Sequence, residues 1–157
     1  MANGDVYEFE ALGHEVREPR RKLEVFPAPP HVTTVVMSSD EVTSLCPVTG
    51  QPDWDTVTIE YAPDALCIES KSLKLYLWSF RNEGVFCESF ADRIAMDVMA
   101  AARPHWCKVT VTQKPRGGIT ITATALVKAE DMSGEGQAAT AAGLTADKAI
   151  DWAGDPT

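Results

Sequence analysis

Thr56-Val57-Thr58-Ile59-Glu60-Tyr61 alternates cleanly. Val57, Ile59 and Tyr61 fall on one face of an extended chain, Thr56, Thr58 and Glu60 on the other, as in a strand that buries one side. Pro63-Asp64 ends it. Three further segments share this character. His31 to Ser39 is rich in β-branched residues and lies between Pro30 and Asp40, which predicts an earlier strand. Lys108 to Thr112 and Ile119 to Ala125 alternate again, and the Pro and paired Gly of Gln113 to Gly118 suit a hairpin between them. Ser44 to Trp54 reads as loop.

Two segments between the strand pairs are helical in pattern. From Ser70 to Asn82, apolar residues surround the helical wheel, so this helix should be covered on several sides. From about Phe86 to Ala102, Phe90, Ile94, Val98 and Ala101 form one stripe, and Pro104 stops the helix. The order β-β-α-α-β-β predicts an α+β domain, an antiparallel sheet with two helices on one face. Its other face would be Thr-rich and its edges open. Open edges invite pairing with another copy, so a homo-oligomer is expected.

Residues 1–30 mix charge with Pro19, Pro27, Pro29 and Pro30 and read as an extended arm, of a kind that often packs on a neighbouring subunit. Residues 31–126 form the domain. The segment 127–157 is rich in Ala, Gly and Asp, with two Lys against six acids, and is expected to be mostly disordered. Within it, Thr145 to Trp152 has the pattern of a short capped turn able to dock Ile150 and Trp152.

A formal charge of -9 opposes a phosphate-tracking surface, so polymeric nucleic acid is not an expected partner. No apolar run is long enough to span a bilayer, and no basic segment followed by an apolar one marks the N-terminus, which points to the cytosol. Cys46, Cys67, Cys87 and Cys107 are widely spaced and should be free thiols there. The nearest approach to a metal pair is His105 with Cys107, and no metal site is expected.

The chemistry concentrates in Ser44-Leu45-Cys46-Pro47-Val48-Thr49-Gly50-Gln51-Pro52-Asp53, which puts a thiol and a carboxylate in one Pro-punctuated loop. An ordinary thiol is only a few per cent thiolate near neutrality, and a nearby carboxylate disfavours the thiolate further. Asp53 therefore makes sense only as a group that moves the proton itself, a general acid and base. Ser70, Lys71 and Lys74 stand at a helix start, where free N–H groups favour anions, and Arg116-Gly117 could supply a second clamp. No Gly-x-Gly-x-x-Gly follows a strand, so a dinucleotide would not be held by a Rossmann-type turn.

Taken with Glu69 to Asn82, Phe86-Cys87-Glu88 and Lys114 to Gly118, the cysteine loop resembles the NADPH-dependent 7-cyano-7-deazaguanine reductases of the queuosine pathway, over about residues 20–126. The resemblance implies the tunnelling fold, whose β-β-α-α-β-β subunits assemble into rings, here two stacked pentamers, with sites at subunit interfaces. It implies that Cys46 adds to the nitrile of 7-cyano-7-deazaguanine as a thioimide, which two hydrides from NADPH reduce to the amine. Asp53 would protonate the nitrogen. Ile68, Glu69, Ser70, Cys87 and Glu88 fall on substrate-contact positions, with Glu88 accepting from the guanine-like edge. Helix capping is the plainer role for Glu69 and Ser70. Ser70, Lys71, Lys74, Arg116 and Gly117 would hold the cofactor.

One departure concerns Cys87, which stands where such relatives commonly carry a His that assists proton transfer. A thiol cannot present an imidazolium, which leaves more of the proton work to Asp53 or a water. Two rivals stay open: a relative that lets ammonia attack the same thioimide and uses no nicotinamide, and a silent ring that binds a purine or pterin. A zinc-dependent cyclohydrolase fits less well, because His14, His31 and His105 are unpaired with any matching Cys motif.

Overall fold

The computed structural model describes residues 7–133. Strands β1 (Val25–Pro27), β2 (Val35–Leu45), β3 (Pro52–Ala62) and β4 (Leu66–Ile68) are followed by helices α1 (Ser70–Trp78) and α2 (Cys87–Ala102), then β5 (Trp106–Arg116) and β6 (Ile119–Lys128). The long strands form one antiparallel sheet in the order β2-β3-β5-β6, and β1 pairs with β4 in a two-stranded sheet. The fold is thus mixed α+β, with an antiparallel sheet and two helices.

Alternation along β3 and β5 sends Val57, Ile59, Tyr61, Cys107, Val109 and Val111 into the core. There they meet Phe90, Ile94 and Val98 from the stripe of α2. Leu73, Tyr76 and Leu77 of α1 join the same core, whereas Lys74 and Trp78 are exposed. The opposite face carries cross-strand hydroxyl pairs, Ser38 with Thr58, Thr110 with Thr124 and Thr112 with Thr122, at 3.0–3.1 Å. β2 and β6 are its open edges.

Three boundaries differ from the pattern reading. β2 begins four residues after His31 and runs through Ser44 to Leu45, and β3 begins at Pro52, so the loop shrinks to residues 46–51. The cause is a bulge: the register shifts between Ser39 and Val42, one extra residue breaks the alternation, and pairing then resumes. The arm carries β1 and packs on its own chain. Arg21 stacks over the Phe80 ring, the Arg20 N–H donates to the Leu75 carbonyl, and Glu24 accepts from the N–H groups of Glu10 and Ala11. Of the acidic tail, residues 127–133 complete β6 and one 3-10 turn, while Thr145 to Trp152 lie outside the described residues. α2 ends on Arg103 in the left-handed region, φ 48°. No described helix is long and apolar enough to cross a membrane.

Candidate active site

Two short connections and two bulges bring one constellation together at the end of the sheet where β3 begins. In the 46–51 loop the Cys46 N–H donates to the Gln51 carbonyl (2.8 Å), and the Gly50 N–H returns to the Cys46 carbonyl (2.9 Å). Gly50 takes φ 70°, which a side chain would oppose. Gly84 backs the loop: a Cβ there would stand 3.1 Å from the Pro47 Cα, and Leu45 bonds on both sides of it, to Glu83 and Val85. The loop is therefore held in one shape, and Cys46 is 8% exposed.

The Thr49 hydroxyl, then the Arg116 guanidinium, then the N–H groups of Thr49 and Val48 face the sulfur and hold its thiol down to about 6. Hydrogen bonds to the charged form favour it, and they outweigh the burial, which acts the other way. Cys87 is the opposite case. Its thiol lies 3.5 Å from the Val111 carbonyl, and burial, then the charges of Asp55 and Glu88, push it up to about 11.

Asp53 is 2% exposed, and Arg116 Nε stands 3.0 Å from its Oδ1. The N–H does not point along that line, so the contact is an ion pair without a hydrogen bond, and neither carboxylate oxygen has a partner. Beneath it, Asp55 accepts from Ser44 Oγ (3.0 Å) and Gln113 Nε2 (3.3 Å), with both donors buried. Burial first, and the charge of Asp53 after it, raise the Asp55 carboxyl above the usual range.

The bulges explain how these side chains share a face. Past the extra residue in β2, Val42 and Ser44 point inward where strict alternation from Val35 and Met37 would turn them out. In β5 the register moves from Gln113 opposite Ile121 to Arg116 opposite Ile119. Two residues on one strand, Lys114 and Pro115, therefore face one on the other, Thr120, which puts Arg116 in phase with Gln113. Gly117 and Gly118, φ 57° and 80°, then close the hairpin as a two-residue turn requires.

The predicted residues separate into two groups. Cys46, Asp53, Cys87, Glu88, Arg116 and Gly117 gather at this end, with Glu88 exposed in the first turn of α2. Ile68, Glu69, Ser70 and Lys71 lie at the other, where the Ile68 N–H donates to the Tyr61 hydroxyl at 2.8 Å. Asp53 and Tyr61 are eight residues apart on β3, about 26 Å along a strand. Arg116 thus stands with the thiol and away from Lys71 within this chain.

Glu69 is the N-cap of α1, its carboxylate accepting from the N–H groups of Lys71 (2.8 Å) and Ser72 (2.7 Å). Two of the helix-start N–H groups expected to be free for an anion, those of Lys71 and Ser72, are therefore occupied. What remains for a phosphate is cationic side chains and a hydroxyl: Lys71, whose Nζ also reaches the His14 carbonyl, Lys74 and Ser70. Ser70, Lys74 and Trp78 line a cavity of about 680 Å³ between α1 and β2, within the range of small-molecule sites. A dinucleotide fits that donor set better through side chains than through the helix end. His105 is exposed while Cys107 is buried, and among the described residues no cluster of three or more His, Cys, Asp or Glu could hold a metal ion.

Ser44, Thr49, Asp55 and Gln113 were not singled out in the sequence. Asp55 and Gln113 do share the inward parity of Val57 and Val111, which is a readable signal. Ser44 was hidden by the bulge.

A thiol, a buried carboxylate and a guanidinium gathered at one end of the sheet are the parts that an enzyme with a thiol nucleophile would use. A family model described as QueF-like protein matches residues 52–132, and the chain belongs to that family. The matched span opens just after the cysteine loop and takes in Asp53, both helices and the Arg116 hairpin. The NADPH-dependent 7-cyano-7-deazaguanine reductase of Syntrophus aciditrophicus (strain SB) is 51% identical over 126 residues, covering 79% of this chain and 89% of that protein. A protein of the same name from Anaeromyxobacter sp. (strain K) is 46% identical over 110 residues, 69% of this chain and 90% of its own. Among solved structures, the archaeosine synthase QueF-Like in its apo form superposes with a TM-score of 0.57 at 26% identity, covering 60% of this chain and 92% of that one.

Proposed function

We propose that this chain reduces the nitrile of 7-cyano-7-deazaguanine to the aminomethyl group with two NADPH, through a thioimide on Cys46. The reductase name shared by relatives 46–51% identical to the chain supports the substrate and cofactor. The observation that carries the chemistry is a single guanidinium, Arg116, facing both a thiol held near 6 and a buried carboxylate with two unpartnered oxygens.

Cys46 Sγ forms the C–S bond, and the proton leaving the thiol passes to the nitrile nitrogen, with Asp53 as its carrier. Arg116 balances the charge of whichever group is ionised at the time. Bound NADPH supplies the two hydrides, both to the former nitrile carbon. The nitrogen takes up two protons in all, and Cys46 leaves the carbon and regains its own. Glu88, exposed at the start of α2, accepts from the guanine-like edge; Ile68, Glu69 and Ser70 complete the base pocket, with Cys87 beneath; Ser70, Lys71, Lys74 and the Arg116-Gly117 turn hold the cofactor.

Residues 31–126 act as the catalytic domain of a tunnelling-fold subunit. The roughly 26 Å between the Cys46 group and the Glu69 group favours a site completed by a second copy, and the open β2 and β6 edges favour ring closure, in two stacked pentamers. The acidic charge argues against polymeric nucleic acid as a partner, and the protein works in the cytoplasm without a membrane.

NADPH oxidation followed on adding 7-cyano-7-deazaguanine, with intact-protein mass spectrometry of the same mixture, tests this. Two NADPH consumed per nitrile is the expected result. An adduct on Cys46 without oxidation would point to the amidine-forming rival, and neither signal to a silent ring.

A further inference from the structure

Asp55 is a buried acid that the reaction above does not use. It follows Asp53 on the inward face of β3, two residues on, so the two carboxyls stand about 7 Å apart along the strand. Its oxygens face only neutral donors, the Ser44 hydroxyl and the Gln113 amide. Ser44 is also the cross-strand partner of Asp53 in the β2–β3 ladder, so one residue bridges the positions of both acids. The cation of the site, Arg116, sits on the Asp53 side. With Cys46, Asp53 and Asp55 all ionised, three negative charges would share one guanidinium in a nearly dry corner of the protein.

We propose that Asp53 and Asp55 hold one proton between them, and that Asp55 is a positioning residue that keeps this proton within the pair, from which Asp53 passes it to the nitrogen. Two carboxyls on one buried face, with a single guanidinium beside them and a thiol that also draws on it, belong with other acid pairs that cannot both ionise. The raised Asp55 carboxyl, with burial as first cause and Asp53 among the others, agrees with this coupling. Around the pair stand Cys46 from the loop, Arg116 from β5, and Cys87 and Glu88 from α2. The role of Asp55 rests on the proposed reduction only in what the proton is used for.

The test is a pH titration of the carboxyl bands by infrared difference spectroscopy on the full chain, with Asp53→Asn and Asp55→Asn to assign them, alongside the pH profile of NADPH oxidation. Two unit charges about 7 Å apart at an effective dielectric of about 20 couple by roughly 1.7 pH units. In Asp55→Asn the remaining proton should be taken up about that much lower. The alkaline limb of turnover should move down with it, costing on the order of 50-fold at pH values above the wild-type limb. Ser44→Ala should move the proton uptake of the pair the other way, to higher pH, because Asp55 loses a donor to its ionised form; it carries the test if Asp55→Asn does not fold. Unmoved proton uptake in both variants would overturn the pairing. If the wild-type protein binds the shared proton as expected yet oxidises no NADPH with the nitrile, the pairing stands and the reductase assignment falls.

Discussion

Alkylation of Cys46 by iodoacetamide should show a pH dependence unlike that of an ordinary thiol. With the thiol near 6, roughly nine-tenths is thiolate at pH 7, against a few per cent for an unperturbed cysteine near 8.5. The absolute rate at pH 7 hides most of this gain, because nucleophilicity falls as the thiol becomes more acidic, by about threefold per pH unit. The inflection of the rate profile is therefore the quantity to measure, and it should fall near pH 6. Thr49→Val removes the foremost hydrogen bond to the sulfur and Arg116→Gln the next, so each should raise the inflection, Thr49→Val the more. The double variant should move it further than either alone, short of a free cysteine because the N–H groups of Thr49 and Val48 still face the sulfur. Cys87 and Cys107, pushed up to about 11 and 12 chiefly by burial, should stay unmodified below pH 8, and Cys67 is shielded at 4% exposure, leaving one alkylated site on a peptide map. A wild-type inflection at or above pH 8, or a double variant that leaves it in place, would refute the account of the site.

Tyr61→Phe removes the acceptor of the buried Ile68 N–H and should cost about 1–3 kcal/mol in urea unfolding, with a loosened β4 as the structural consequence. Asp55→Asn should alter stability in a pH-dependent way. The folded state binds the Asp55 proton more tightly than the unfolded chain, so this group favours folding at low pH and the benefit is lost as pH rises through the raised value. The variant should accordingly have a higher urea midpoint than wild type at pH 8 and lose that advantage by pH 4. Lys71→Ala should raise the NADPH concentration needed for half-maximal oxidation while leaving the Cys46 adduct intact; an unchanged requirement would remove Lys71 from the cofactor site.

How much of this was legible beforehand depends on where the two-residue period held. Thr56 to Tyr61 and Lys108 to Thr112 place their inward residues correctly, because both strands are central and half-buried, and the α2 stripe from Phe90 to Val98 is in the core. The period failed at Asp40-Glu41 and at Lys114-Pro115, where one extra residue re-phases the strand. For that reason the inward position of Ser44 and the approach of Arg116 to Asp53 could not be read. β1 and β4, three residues each, are too short for any period to register. The capping role of Glu69 was visible as one of two alternatives; its consequence, that two of the helix-start N–H groups are no longer free, required the geometry.

The β5 bulge makes chain length itself a functional quantity in this hairpin. Adding one residue between Gln113 and Arg116 would leave every chemical group of the site in place and, with the bulge and the glycine turn kept, reverse the phase of the strand beyond it. The guanidinium would then emerge among the threonines of the opposite face, and the thiol and Asp53 would lose the cation they share. A comparison restricted to which residues are present would miss such a lesion. The spacing between Gln113 and Arg116 carries as much of the site as the arginine does.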